Sequence, residues 1–302
     1  MGKPKLIAIV GPTASGKSAL GIYIAQKLKG EVISADSRQV YKGLDIGTGK
    51  VTKKEMLGVP HHLLSVVSPK KQFTVDDFVR LADKAYASVL QNNAVAIVVG
   101  GTGLYVDMLV GRMSYPNVPP NEALRKKLAN KTALQLFAML KKADPARAAN
   151  IEASNPRRLI RALEIAKAIG KSPTPNPEPK YDVLWLGLNP DQKKLQRNIH
   201  KRLLSRIKAG MINEAKRLRK QGLTYKRMDE LGLEYRYLAQ LLQNKLTKKE
   251  FAEQLERAIN DYAKRQMRWF KRNQDIVWAG SKTEALKLAK DFLRAMLESN
   301  QQ

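Results

Sequence analysis

Residues 11–18 read Gly11-Pro12-Thr13-Ala14-Ser15-Gly16-Lys17-Ser18, a complete G-x-x-x-x-G-K-[ST] phosphate-binding loop. In such a loop the backbone N–H groups point inward and surround phosphate oxygens. Lys17 would place a positive charge beside the reacting phosphate, and the hydroxyl of Ser18 is a ligand for Mg²⁺. The stretch therefore predicts a diphosphate or triphosphate site, and it leaves open which compound carries the phosphate.

The flanking sequence places this loop between a strand and a helix. The apolar run that precedes it predicts a buried parallel strand at 5–10, and apolar residues at helical spacing follow Ser18. Similar apolar runs predict further strands at 31–35, 94–99 and 183–188. This alternation of strands and helices predicts an α/β fold with a P-loop NTPase-like parallel sheet core.

The middle of the chain has a different pattern. Residues 121–170 show helical spacing without a strand candidate, between proline-rich stretches at 116–120 and 172–179. Four alternating prolines in the second stretch indicate a stiff, extended connector. We therefore predict a helical insertion domain at 116–179 in a core formed by residues 1–115 and 180–302, with C-terminal helices packed on the core.

The chain is strongly basic. Its 302 residues contain 55 Lys or Arg against 27 Asp or Glu, a net charge of +28. Such an excess favours a polyanionic partner, with nucleic acid ahead of an anionic membrane surface. The alternative is a set of solvated lysine-rich faces, or an organism whose proteins are all basic. Residues 193–227 hold 13 Lys or Arg and one acid, which makes the C-terminal third the candidate surface.

A second basic cluster, at 264–272, contains the aromatic residues Trp269 and Phe270. Basic and aromatic residues together suit unpaired bases, although helical spacing favours a core position for these two rings.

Composition also excludes several classes. The chain has no cysteine, which excludes disulfides and thiolate metal sites. No run approaches the roughly 18–20 apolar residues that span a bilayer. The N-terminal residues lack the features of a signal peptide. A cytoplasmic protein is expected, and no feature demands more than a monomer.

Polar side chains follow two of the predicted strands. Asp36 comes after the strand at 31–35, and Thr102 lies in the glycine-rich turn 100–103 after the strand at 94–99. Ligands of open α/β sheets bind beyond the carboxyl ends of the strands, so both face the phosphate site. Asp36 is a candidate metal ligand or general base, and the alternative is a helix N-cap. The strand at 94–99 does not end in the Asp that an ordinary ATPase carries there, which argues against that class, although Asp36 could hold the metal instead. The pair His61-His62 fits a structural role better than a zinc site.

Further segments occur in a fixed order along almost the whole chain: Asp36-Ser37-Arg38-Gln39-Val40-Tyr41, Asp45-Ile46-Gly47-Thr48-Gly49-Lys50, Pro60-His61-His62, 100–105, 155–164, His200-Lys201-Arg202 with Arg206, and Lys264-Arg265-Gln266 with Trp269. With the phosphate-binding loop, this set resembles the tRNA dimethylallyltransferases, or tRNA isopentenyltransferases. The resemblance implies transfer of a dimethylallyl group from dimethylallyl diphosphate to N6 of adenine 37 in tRNAs that read codons beginning with U. The target base would leave its stack to reach the donor.

The resemblance also implies roles for residues. Asp36 would be the general base, and Thr102 would hold Asp36 or the donor by a hydrogen bond. Residues 11–18 and Arg206, with Arg202 as the alternative, would bind the leaving diphosphate, and Ser18 would ligate Mg²⁺. Contacts to tRNA are implied for Asp36, Ser37, Arg38, Gln39, Thr102, Arg125, Arg157, Arg158, Leu159, Ile160 and Arg161.

Two departures from the family pattern remain. The family often carries Gly-Tyr-[Lys/Arg]-[Glu/Gln] where this chain has altered residues at 231–237, so no base contact is assigned there. Ser18 stands where many members have Thr, and no zinc-finger extension follows, which favours a bacterial or organellar form.

Two alternative functions stay open. They are a P-loop kinase of a nucleotide or small metabolite, and a nucleic-acid-binding module whose P-loop is only a switch.

Overall fold

The computed structural model describes residues 3–114, 116, 118–171 and 178–299, with the backbone alone for 295–299. Asn117 and the proline-rich residues 172–177 of the two predicted connectors lie outside the described residues. The chain divides into two compact units. Unit 1 comprises Met1–Arg112 and Pro179–Gln302, and unit 2 comprises Met113–Glu178.

Unit 1 is built on a six-stranded parallel sheet with the order β3-β2-β4-β1-β5-β6. Its strands are β1 Lys5–Val10, β2 Gly30–Ser34, β3 His61–His62, β4 Val95–Gly100, β5 Asp182–Gly187 and β6 Val277–Trp278. The predicted α/β fold is confirmed, and the four predicted strands occur within one residue of their expected bounds. The edge strands β3 and β6 were not predicted, because two residues carry no recognisable period.

Helices surround the sheet and fill unit 2. In chain order the described helices are α1 Lys17–Leu28, α2 Lys53–Met56, α3 Val75–Gln91, α4 Gly103–Leu109, α5 Glu122–Leu128, α6 Ala133–Ala143, α7 Pro145–Ala149, α8 Pro156–Ile169, α9 Gln192–Lys208, α10 Met211–Lys220, α11 Tyr225–Leu231, α12 Leu233–Leu242, α13 Lys248–Phe270 and α14 Lys282–Ser299. The helical pattern predicted for 121–170 is confirmed by α5 to α8. None of the described helices is long and apolar enough to cross a bilayer.

Both faces of the sheet are buried, which explains the continuous apolar runs of its strands. Leu6 and Ala8 of β1 face the cluster that contains α3 and α4, whereas Ile7 and Ile9 face α1 and α14. Phe270 is buried in the first of these clusters and Trp269 packs against it, so the core position predicted for both rings is confirmed.

A third cluster joins the C-terminal helices to the loop that follows β2. It contains residues of α9 to α13 together with Val40, Tyr41 and Leu44. This packing brings α9, α12 and α13 next to the segments that follow the ends of β2 and β4. The C-terminal third therefore supplies side chains to the same edge of the sheet as the phosphate-binding loop.

Unit 2 has a core of its own. Its buried leucines come from α5, α6 and α8, and they include Leu128, Leu136, Leu140 and Leu159. The helices begin at polar N-caps, such as Thr132 before α6 and Asn155 before α8, whose side chains accept backbone N–H groups. Local capping and a shared apolar face thus account for this unit without the sheet.

Candidate active site

A cavity of about 750 Å³ lies in unit 1 beyond the carboxyl ends of the strands. The phosphate-binding loop contributes Lys17 and Ser18 to its wall, and the segment after β2 contributes Asp36. Helix α9 contributes Arg202, and α13 contributes Tyr262. The cavity therefore combines cations, a carboxylate, a hydroxyl and an aromatic ring in one place, and of these the sequence predicted Lys17, Ser18 and Asp36 at this edge of the sheet.

The phosphate-binding loop has the shape of an anion cradle. Gly16 has a φ of 94°, a left-handed conformation that turns the chain directly into α1 without a side-chain cap. The first N–H groups of α1 therefore have no helical partner and are available to an anion. The buried hydroxyl of Ser15 also has no hydrogen-bond partner among the residues that the structure describes. These unpaired donors fit the oxygens of a bound phosphate.

Lys17 is buried beside this cradle. Its ammonium group donates to the carbonyl oxygen of Pro12 at 3.0 Å. Burial lowers the pKa of Lys17 to about 8, while the charge of Asp36 acts in the opposite direction and Arg202 adds to the decrease. A negatively charged ligand would therefore stabilise the protonated form of Lys17.

Asp36 shapes the turn that follows β2. Its Oδ1 atom accepts the backbone N–H groups of Arg38, at 2.8 Å, and Gln39, at 3.2 Å. The residue caps a turn at 37–40 and not a helix, so the predicted alternative of a helix N-cap is wrong. Among the described residues, the hydrogen bonds of this carboxylate are accepted by Oδ1. Asp36 also lines the cavity.

Thr102, predicted to hold Asp36 or the donor by a hydrogen bond, lies next to this turn and does not bond to the Asp36 carboxylate among the described residues. Its hydroxyl oxygen instead accepts the N–H of Ser37 at 3.1 Å, and its own N–H donates to the carbonyl of Ala35 at 3.3 Å. The backbone on either side of Asp36 is thereby tied to Thr102. The residue positions Asp36 through the main chain.

Tyr262 of α13 completes this group, and the sequence did not single it out. Burial and the charge of the nearby Asp36 raise the pKa of Tyr262 to about 12, although Arg38 and a hydrogen bond with Thr102 act in the opposite direction. The phenol therefore stays protonated at neutral pH. Its aromatic character at helical spacing was the only available signal, and that signal also fits a core residue.

The two arginines of α9 take different positions. Arg202 lines the cavity and donates to the carbonyl of Gly49 at 2.8 Å. Arg206 is absent from the cavity wall and donates to the carbonyl of Gly47, at 2.7 Å, and to Glu234, at 3.1 Å. The cavity lining therefore favours Arg202 over Arg206 at the diphosphate, and the contact predicted for Arg206 stays a prediction.

Gln266 of α13 joins two of the glycine-rich segments. Its side-chain oxygen accepts the N–H of Thr13 at 2.8 Å, and its amide group donates to the carbonyl of Gly101 at 2.8 Å. The residue is almost fully buried. A buried amide with both ends paired holds the phosphate-binding loop at a fixed distance from the turn after β4.

The segment 231–237 also reaches the cavity. Gly232, Leu233, Glu234, Arg236 and Tyr237 line it, although no contact could be assigned there from the altered sequence. Leu233 has a φ of 35°, a strained value for a side chain with a Cβ atom. The altered order of residues at this point therefore changes the wall of the cavity itself.

The histidine pair has two separate surroundings. His62 bonds to Glu31 at 2.6 Å within the sheet, which agrees with the structural role predicted for it. His61 lines the cavity, and burial lowers its pKa. Within the residues that the structure describes, no group of three or more His, Asp or Glu is arranged to hold a metal ion.

The tRNA contacts predicted in unit 2 fall into three groups. Arg157 and Arg158 are exposed on α8, and Arg158 pairs with Glu152. Arg125 and Arg161 are bound to the buried carboxylate of Glu164. The side chain of Leu159 is fully buried and that of Ile160 packs against the same core, so a contact of Leu159 with tRNA would have to use its backbone.

Two family models match the sequence. The model described as IPP transferase matches residues 39–273, and the model described as isopentenyl transferase matches residues 4–72. The chain belongs to the IPP transferase family. The first match covers the cavity-lining segments from Gln39 to Gln266, and the second contains the phosphate-binding loop and Asp36.

Curated members of the IPP transferase family match over nearly full length. The chain is 38% identical to tRNA dimethylallyltransferase 1 of Geotalea uraniireducens, over 96% of this chain and 97% of the relative. It is 39% identical to the tRNA dimethylallyltransferase of Pelotomaculum thermopropionicum, over 91% of this chain and 90% of the relative.

Solved structures of the family share the fold. The full-length tRNA isopentenylpyrophosphate transferase of Bacillus halodurans matches with a TM-score of 0.73 and 35% identity, covering 98% of both chains. A eukaryotic dimethylallyltransferase, described in crystallographic snapshots as acting on tRNA, matches with a TM-score of 0.77 and 28% identity. That match covers 88% of this chain and 70% of the other.

Proposed function

We propose that this protein transfers a dimethylallyl group from dimethylallyl diphosphate to N6 of adenine 37 in tRNAs that read codons beginning with U. The observation that supports this most directly is the cavity, in which Asp36 lies close to the buried Lys17 of the anion cradle. A carboxylate beside a diphosphate site suits a reaction in which one group loses a proton while another loses diphosphate. Membership of the family supports the same reaction.

The reaction is a substitution at C1 of the donor. The bond between C1 and the diphosphate oxygen breaks, and the bond between C1 and adenine N6 forms. Asp36 accepts the proton that N6 loses, because an exocyclic amine is a poor nucleophile while it keeps both protons. Lys17, Arg202 and the N–H groups of the cradle stabilise the negative charge that develops on the leaving diphosphate.

A divalent cation fits the donor atoms of this cavity. Ser18, Thr48 and Asp36 contribute hydroxyl and carboxylate oxygens to its wall, and hard oxygen ligands suit Mg²⁺. Mg²⁺ usually takes one or two protein ligands and completes its shell with water and substrate phosphates. We assign Ser18 as a protein ligand, and the ion would neutralise charge on the diphosphate.

The tRNA would approach with its anticodon stem-loop. We expect Asp36, Ser37, Arg38, Gln39 and Thr102 to contact the extruded base, and the exposed Arg157 and Arg158 are candidates for phosphate contacts. We propose that the protein acts on tRNA as a monomer in the cytoplasm.

The deciding experiment is incubation with Mg²⁺, dimethylallyl diphosphate and an unmodified tRNA that carries A36-A37-A38, followed by mass spectrometry of its nucleosides. We expect an added C₅H₈ on one adenosine. Transfer of phosphate from ATP without this product would favour the kinase alternative. Binding of RNA without any transfer would favour the binding-module alternative.

Two Asp36 variants separate its chemical role from its structural role. Asp36→Asn keeps a side-chain oxygen for the N–H groups of Arg38 and Gln39, whereas Asp36→Ala removes it. Turnover in Asp36→Asn should fall by about 10²- to 10⁴-fold, with tRNA affinity retained, because a general base contributes about that factor. Near-normal turnover in Asp36→Asn would limit this residue to shaping the turn.

A further inference from the structure

Glu214 of α10 is a buried carboxylate outside the cavity wall, with four hydrogen bonds. Its Oε2 atom accepts the N–H groups of Asp45, at 3.0 Å, and Ile46, at 2.7 Å. Its Oε1 atom accepts the N–H of Gly47, at 2.9 Å, and the hydroxyl of Tyr235, at 2.7 Å. Three consecutive backbone amides of one loop therefore converge on a single side chain.

This loop, residues 45–49, holds the arginines of α9 from its other side. The carbonyl oxygen of Gly47 accepts a hydrogen bond from Arg206, and that of Gly49 accepts one from Arg202. The N–H groups of the 45–49 loop donate to Glu214, and the carbonyl groups of the same loop accept from Arg202 and Arg206. A change at Glu214 would therefore reach Arg202 through the main chain.

Arg202 lines the cavity with charges of both signs around it. Burial lowers the pKa of Arg202 and the charge of Arg206 lowers it further, whereas the carboxylates of Glu234, Asp36 and Glu55 act in the opposite direction. Arg202 in turn lowers the pKa of Lys17. A long side chain at a cavity wall has many rotamers, and a hydrogen bond that holds it in place before the ligand arrives improves anion binding.

We propose that Glu214 is a positioning residue for diphosphate binding, because it fixes the 45–49 loop whose carbonyl groups orient Arg202 in the cavity. The inference rests on the proposed function for the identity of the diphosphate, and it goes beyond the residues that touch the substrate. A carboxylate suits this task because it offers several acceptor positions and carries no donor.

The first test is Glu214→Gln. A carboxamide has one oxygen, so its NH₂ group must face either the Asp45 and Ile46 amides or Gly47 and Tyr235. Binding of inorganic pyrophosphate with Mg²⁺, measured by titration calorimetry without tRNA, should weaken by about tenfold. The KM for dimethylallyl diphosphate should rise, while the KM for tRNA stays unchanged.

A double-mutant cycle with Arg202→Ala tests whether the effect passes through Arg202. If it does, adding Glu214→Gln to Arg202→Ala weakens pyrophosphate binding much less than adding it to the wild type. Equal effects in both backgrounds would overturn the proposed route, because a general loss of packing acts independently of Arg202.

Glu31→Gln is the matched control, since Glu31 is a buried carboxylate bonded to His62 and Asn92 away from the 45–49 loop. It should lower the melting temperature and leave pyrophosphate affinity unchanged. If Glu214→Gln does not fold, Tyr235→Phe removes one of the four bonds and should weaken pyrophosphate binding by about threefold.

Wild-type affinity in a folded Glu214→Gln or Tyr235→Phe variant would overturn the proposal. Failure of the wild type to modify tRNA is a separate outcome, because it would count against the proposed function while the pyrophosphate titrations still report on Glu214.

Discussion

Two cationic side chains, Lys17 and Arg202, lie in the wall of the cavity before any ligand binds. Both have a lowered pKa, and the charge of Arg202 contributes to the decrease at Lys17. Asp36 offsets only part of this repulsion. A bound diphosphate would remove the electrostatic penalty on both cations, so affinity and protonation are coupled at Lys17.

The pH dependence of diphosphate binding tests this coupling. Lys17 is protonated below its pKa of about 8 and loses its proton as the pH rises through that value. An anion prefers the protonated form, so pyrophosphate affinity should be highest below about pH 8 and should fall above it. Calorimetry in two buffers with different ionisation enthalpies should detect proton uptake on binding near this pH.

Lys17→Met is the control for that measurement, since it removes the titrating group and keeps an unbranched apolar side chain. The uptake of a proton near pH 8 should disappear in this variant. The same uptake in Lys17→Met would assign the titration to another group, or to the ligand.

Some of these site residues could be predicted from the sequence, and others could not. The loop at 11–18 and Asp36 were predicted because each follows a strand directly, and the ends of parallel strands share one edge. The sequence placed Arg206 ahead of Arg202 at the diphosphate, whereas Arg202 is the arginine of this pair that lines the cavity. Their orientation depends on the 45–49 loop and Glu234, which are distant in sequence from α9, and no local pattern reports such contacts.

At the scale of elements, the cavity depends on how closely the strand ends approach each other. Gln266 links the phosphate-binding loop to the turn after β4. In that turn, a Cβ atom added to Gly100 would overlap the carbonyl oxygen of Ala35, directly before Asp36. The glycines of this turn therefore serve close contact between two strand ends, which sequence alone could not distinguish from a simple tight turn.

Gln266→Leu keeps a similar size and removes both hydrogen bonds. Releasing the phosphate-binding loop should raise the KM for dimethylallyl diphosphate by about tenfold, with little change in tRNA affinity. Gln91→Leu, at the exposed end of α3, is the control for the added apolar surface. Equal steady-state constants for Gln266→Leu and the wild type would show that the loop holds its shape unaided.

Gly100→Ala should destabilise the protein, because the added Cβ atom meets backbone and has no flexible neighbour to displace. Overpacking of this kind costs about 1–3 kcal/mol of unfolding free energy. Gly280→Ala is the comparison, since its Cβ atom would meet only the end of the Glu284 side chain, at 3.3 Å. Denaturant unfolding of the two variants should give clearly different midpoints, and matching midpoints would contradict the close approach.

At the scale of the whole molecule, the net charge of +28 is the feature that relates most directly to tRNA. Charge predicts association with a polyanion and says nothing of which side chains make contact. Among the arginines of unit 2 that were predicted to contact tRNA, the structure favours Arg157. Arg125 and Arg161 already bind Glu164, whereas Arg157 is exposed and bears no ion pair among the described residues.

Arg157→Ala should weaken tRNA binding and reduce the slope of log K against log salt by about 1, the loss expected for one phosphate contact. Filter binding or fluorescence anisotropy over a range of salt concentrations measures both quantities. Arg80→Ala, an exposed arginine of α3 in unit 1, is the charge-matched control and should keep the wild-type slope. An unchanged slope for Arg157→Ala would remove this residue from the interface.

The order of the strands has a consequence for synthesis on the ribosome. The central strand β1 pairs with β4 on one side and with β5 on the other, and β5 is made only after residues 101–181. The N–H of Thr13 finds its partner only when Gln266 has emerged. The phosphate-binding loop is thus among the first segments translated and among the last to be completed. A nascent chain arrested before residue 266 would carry the whole loop sequence and still lack the partner that fixes its shape.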